Sequence, residues 1–108
     1  MAREKYQTLT EQMFYILICL TQESCGVDIM KKVKDLTNER VIIGPGTLYS
    51  LLDNFVKEKI IIETKIENRK KSYVITNLGR EMIEKEYIRL KKLERDYEML
   101  VKEVSNNE

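Results

Sequence analysis

The chain has 108 residues and a mass of 12.8 kDa, enough for one domain and little more. Nineteen Lys+Arg against 18 Asp+Glu give a net charge of +1, which excludes a strongly cationic tail or an acidic solvating protein but leaves room for a local basic patch. Histidine is absent and the cysteines are only two, Cys19 and Cys25, so the commonest general base, the usual zinc ligand, a disulfide scaffold and a four-cysteine metal site are all missing.

The N-terminus is polar and charged, and the first apolar stretch, Phe14–Leu20, is far short of the roughly 20 apolar residues of a membrane span. A cytoplasmic chain with reduced thiols is therefore expected, without signal peptide or membrane partner. Thr8-Leu9-Thr10-Glu11 has capping-box spacing, which predicts a helix starting at Thr8 or Thr10 and running to about Glu23. Met13, Ile16, Leu17 and Leu20 form its apolar stripe, widened by Phe14 and Ile18. Ser24-Cys25-Gly26 reads as a break. A second helix fits from Val27 to about Thr37, with Ile29, Met30, Val33 and Leu36 buried.

After a connector to Ile43 comes Gly44-Pro45-Gly46. Proline suits the first position of a helix, where its missing N–H costs nothing, so a third helix is predicted from Pro45 to about Lys59. Leu48, Leu51, Leu52, Phe55 and Val56 make its core face. Thr47, Ser50, Asp53, Asn54 and Lys57 make the other. The period then changes: 60–66 is β-branched and partly alternating, 67–70 reads as a four-residue turn, and 71–75 as the returning strand of a hairpin. Thr76 is a candidate N-cap for a last helix from Asn77 to about Val104.

Three helices, a hairpin and a long helix make an α+β chain, mostly α, on the plan of a winged helix-turn-helix. The divisions are a DNA-binding domain over residues 1–76 and a C-terminal dimerisation helix over 77–108. In such a plan the third helix enters the major groove and the hairpin reaches an adjacent groove or the backbone. Thr47, Tyr49, Ser50 and Lys57 on the helix, and Arg69, Lys70 and Lys71 at the hairpin tip, are then the candidate DNA contacts. Taken alone, the same residues suit a solvated helix face and a basic turn. Tyr49 has two readings, packing under the second helix or reaching a phosphate through its hydroxyl.

At this point the residues resemble the PadR family of bacterial transcriptional regulators. Gly44-Pro45-Gly46-Thr47-Leu48-Tyr49 is the most specific match. Leu9-Thr10-Glu11 with Tyr15-Ile16-Leu17, Arg69-Lys70-Lys71-Ser72-Tyr73 with Ile75-Thr76, and Gly79-Arg80 support it in one register over roughly residues 9–104. The single C-terminal helix resembles the smaller members. The chain departs from the family at Cys25-Gly26-Val27-Asp28-Ile29, where His-Gly-Tyr-Glu-Ile is common, and at Lys59, where glycine usually follows the recognition helix.

The main reading is a sequence-specific DNA-binding repressor, and the resemblance implies that a small molecule or similar signal relieves it; a dimer would set two recognition helices on a two-fold operator. In some small members planar compounds bind between the two copies against aromatic residues of the last helix. Tyr87 is the nearest aromatic here and Leu90 lies one turn on, so these two are the candidate effector residues; there is no tryptophan. Ile83, Tyr87, Leu90, Leu93, Tyr97, Leu100 and Val104 recur at helical spacing along that helix, more than a small core can cover. A homodimer would bury them, against the same helix of a second copy or across its first helix. The alternatives are a helix folded back on its own domain and a winged helix that binds protein without DNA. No acid–base pair, phosphate-binding glycine loop or activated nucleophile points to an enzyme, and no metal or cofactor is expected.

Overall fold

The structure, a computed structural model, describes residues 8–102. The chain runs α1 (Glu11–Cys19), β1 (Ser24–Cys25), α2 (Gly26–Leu36), α3 (Pro45–Lys57), β2 (Ile61–Glu67), β3 (Lys70–Ile75) and α4 (Asn77–Tyr97), which continues into a π-helical turn, Glu98–Lys102. Thr10 caps α1 through its hydroxyl, which accepts from the Met13 N–H at 3.2 Å. Glu11 does not reach back as a capping box would have it. Its carboxylate instead takes the Arg40 guanidinium at 2.6 Å, and Arg40 also donates to the Tyr15 hydroxyl at 2.7 Å. The loop between α2 and α3 is thereby tied to α1.

Helix α1 ends at Cys19, not Glu23, and what reads as a break at Ser24-Cys25 is a strand. It pairs antiparallel with β3, Ser24 opposite Tyr73 and Cys25 opposite Ser72, giving the sheet order β1-β3-β2. The hairpin turn is shorter than predicted. Glu67 pairs with Lys70, leaving Asn68 and Arg69 as a two-residue turn, and both hold positive φ, 51° and 66°. Two left-handed residues are what a type I′ turn requires to match the twist of its strands. A bulge at Thr64 breaks the register further down β2.

Helix α3 stops at Lys57. The Lys59 N–H donates to the Val56 carbonyl and the Ile60 N–H to Phe55, a Schellman closure with Lys59 left-handed at φ 63°. A lysine there meets the Cβ strain that glycine avoids. Lys59→Gly should therefore raise stability by roughly 1 kcal/mol, read as a higher midpoint in urea with an unchanged slope.

One core joins these elements. Ile16 and Leu17 of α1, Leu20 at its C-cap, Ile29 and Val33 of α2, and Leu48, Leu52 and Phe55 of α3 are fully buried with Ile60 and Ile61. Two predicted core residues are not part of it. Leu36 is 64% exposed because α2 closes at that point, and Val56 turns outward on the last turn of α3. Cys19 is half-buried beside the core, and burial pushes its thiol up.

The start of α4 belongs to this core as well. The Thr76 hydroxyl accepts from the Gly79 N–H and donates to the Lys59 and Ile60 carbonyls, while the Thr76 N–H donates to Ile60. Gly79 sits where a β-carbon would fall 2.5 Å from the Ile60 carbonyl oxygen and 2.5 Å from Ile75 Cγ1, so only glycine lets the helix close onto the sheet. Met82 and Ile83 add apolar contacts. One turn on, Glu86 is 4% exposed; it accepts from the Leu9 N–H at 3.3 Å and from Arg89 Nε at 3.1 Å, and a second, shorter Arg89 bond completes the pair. Beyond Leu90 the helix extends away from the domain, and the molecule's long dimension is 61 Å.

Candidate nucleic-acid interface

Pro45 at the first position of α3 and Gly44 as its cap set the helix direction. With Leu48, Leu52 and Phe55 pinned in the core, helical geometry turns Thr47, Ser50, Asp53 and Lys57 to the surface, and all four are exposed. Gly46 is exposed at the first turn, and a β-carbon there would meet nothing within 4 Å. No packing within the described residues requires glycine at this position.

Tyr49 follows its packing reading in part, against the start of α2. A β-carbon on Gly26 would lie 2.6 Å from the Tyr49 hydroxyl and 2.8 Å from its ring, so the ring rests on the bare backbone that opens α2. The side chain nevertheless remains 42% exposed. Tyr49 and Asp53 form one wall of a cleft of about 330 Å³. Arg69, Lys70 and Lys71 of the wing form the other, with Tyr73 at its base. Burial pushes the Tyr73 phenol up, and the nearby Glu63, Asp53 and Tyr49 add to that direction.

The basic residues of the wing are not equivalent. Lys65 is held between Glu67 at 3.4 Å and Glu23 at 3.6 Å, and Lys71 lies 3.8 Å from Glu63. Among the described residues Arg69 and Lys70 have no ion-pair partner, and neither does Lys57. Two uncompensated charges thus stand at the end of the hairpin, on the cleft it shares with α3.

The predicted stripe on the last helix divides. Ile83 packs against its own core, whereas Tyr87, Leu90, Leu93, Tyr97 and Leu100 are all 40–75% exposed. Val104 lies outside the described residues. The two predicted effector residues also separate. Leu90 lines a groove of about 370 Å³ with Leu9, Phe14, Tyr15 and the Glu86–Arg89 pair, while Tyr87 lies outside it under the Lys91 ammonium, 5.4 Å from its ring centre. Sequence reasoning missed Glu86. Its only local signal was Arg89 three residues on, a spacing repeated by other charges along this helix.

Among the described residues no cluster of His, Cys, Asp or Glu is arranged to hold a metal, and no helix is long and apolar enough to cross a membrane. Helices capped by a three-stranded sheet, with an exposed polar helix face beside a basic hairpin and a long final helix, define a winged helix-turn-helix fold. The sequence matches the transcriptional regulator PadR-like family over residues 16–85, and the chain belongs to that family, whose members are regulators and not enzymes.

Solved structures share the fold. A transcriptional regulator from Clostridium thermocellum is 22% identical with a TM-score of 0.72, over 87% of this chain and 99% of that one. A PadR-like transcription factor from Bacteroides fragilis is 22% identical with a TM-score of 0.71, over 83% and 89%. A PadR-like transcriptional regulator from Bacillus cereus is 26% identical with a TM-score of 0.56, over 88% of each chain. No curated protein sequence matches the chain.

Proposed function

We propose that this regulator is a homodimeric, sequence-specific DNA-binding repressor that acts in the cytoplasm on a two-fold operator. The observation that carries this reading is the placement of Arg69 and Lys70 across one cleft from the exposed face of α3. Two uncompensated cations suit phosphates, and a helix face of small polar groups suits base edges. Thr47 and Ser50 read bases. Lys57, Arg69, Lys70 and, after exchanging Glu63 for a phosphate, Lys71 hold the backbone. Tyr49 offers its hydroxyl to a phosphate from a ring braced on Gly26. Gly46 supports the same reading, since a bare first turn lets a sugar–phosphate chain come close at a point where nothing inside the protein asks for glycine.

In this scheme residues 1–76 read DNA and residues 77–108 pair two copies, which sets the recognition helices about one helical turn of DNA apart. A small molecule lodged between the copies near Tyr87 and Leu90 would relieve repression by favouring a dimer whose helices no longer match that spacing. The test is salt dependence. Lys70→Ala should weaken binding to every duplex alike and reduce the slope of log affinity against log salt by roughly one unit, whereas Ser50→Ala should leave the slope and alter sequence preference. A folded, dimeric wild-type protein that binds no duplex at low salt would refute the reading and favour a protein-binding winged helix.

A further inference from the structure

Three cations and one carboxylate line the cleft between α3 and the wing, and the carboxylate is Asp53. It is exposed, and among the described residues it has neither a hydrogen bond nor an ion pair, although Arg69, Lys70 and Lys71 line the same space. An unpaired negative charge on the face turned toward a polyanion lowers affinity for phosphates in general. It becomes favourable only where it meets a donor. In the major groove that donor is an exocyclic base amine, and an aspartate is suited to the N4 amine of cytosine.

The position on the helix agrees with this. Asp53 lies three residues beyond Ser50 and four beyond Tyr49, so it continues the outward face of α3 one turn further along the helix, where it lines the cleft. The wing supplies cations for the phosphates on one side of it. On the DNA-binding reading above, the carboxylate then lies beside backbone contacts and faces base edges.

We propose that Asp53 is a specificity-determining residue: it accepts a hydrogen bond from a cytosine amine at one position of each half-site and repels phosphate at every other register. The inference rests on the DNA-binding reading above. It adds that selectivity in this chain comes partly from a charge that weakens non-specific binding, a repulsive element as much as an attractive one.

Wild type, Asp53→Ala and Asp53→Asn would be compared on duplexes selected from a random pool by the wild type, on single-base-pair variants of those duplexes, and on random-sequence competitor at the same salt. Thermal melting shows that each variant is folded. Both variants should hold the competitor severalfold more tightly. Asp53→Ala should lose roughly tenfold discrimination at one C·G pair per half-site and keep it elsewhere. Unchanged discrimination at every position in folded Asp53→Ala would overturn the proposal while leaving DNA binding intact. Failure of the wild type to bind any duplex would instead overturn the DNA reading, and this proposal with it.

Discussion

A chain carrying Leu93→Glu and Leu100→Glu should sediment as a monomer at concentrations where the wild type is a dimer, and it should lose most of its operator affinity. Both leucines lie on the part of the last helical segment that leaves the domain, 52% and 75% exposed, in line with Tyr87, Leu90 and Tyr97. Covering about half of each such side chain is worth on the order of 1 kcal/mol, so five residues on each of two copies could supply roughly 10 kcal/mol before the costs of association. Glutamates at these points would place like charges close to the two-fold axis in apolar surroundings.

The core lies elsewhere, so the substitutions should spare the fold. Circular dichroism should show native helix content, less any fraying beyond Glu86. Operator binding should fall because one winged helix engages only a half-site, and the gain from tethering two is lost. A doubly substituted protein that remains dimeric and binds DNA normally would show that the copies do not meet through this helix.

Much of this architecture is legible in the sequence wherever a local rule operates alone. Pro45 behind Gly44 announces the start of α3, Thr76 caps α4, and the stripes of α1 and α3 mark their buried sides at Ile16, Leu17, Leu48, Leu52 and Phe55. What is not legible depends on a distant partner. Ser24 and Cys25 are too few to show strand periodicity, and they become a strand only because Tyr73 and Ser72 lie opposite. Asn68-Arg69 lacks the glycine that usually betrays a two-residue turn. Lys59 hides a left-handed residue behind an ordinary side chain.

The candidate interface shows the same division. The exposed side of α3 follows from its buried side. The inequality among the wing cations does not, because it depends on Glu63, Glu23 and Glu67 arriving beside Lys71 and Lys65. The support of Tyr49 by Gly26 joins two positions that no local pattern connects.

Replacing Glu86 should loosen the joint between the winged helix and the helix that carries the proposed dimer stripe. Its carboxylate is buried, accepts the Leu9 N–H just ahead of α1, and is paired with Arg89. Glu86→Ala strips the Leu9 N–H of its partner and should cost about 1–3 kcal/mol of stability, visible as a lower urea midpoint. The Arg89 bonds, joined by the Leu9 N–H, hold the Glu86 carboxyl below the ordinary carboxylate range despite burial. Stabilisation of this kind is fully present above the unfolded glutamate value of about 4.3 and is lost as pH falls through the depressed folded value. The difference in stability between wild type and Glu86→Gln should therefore be flat from neutral pH down to about 5 and shrink below that. A gap that stays constant through the acid range would show that the charged carboxylate is not what holds the joint. Because Leu9 and Arg89 flank the same groove as Leu90, Glu86→Gln should also change the spacing between half-sites that the dimer prefers, measured by varying the operator one base pair at a time.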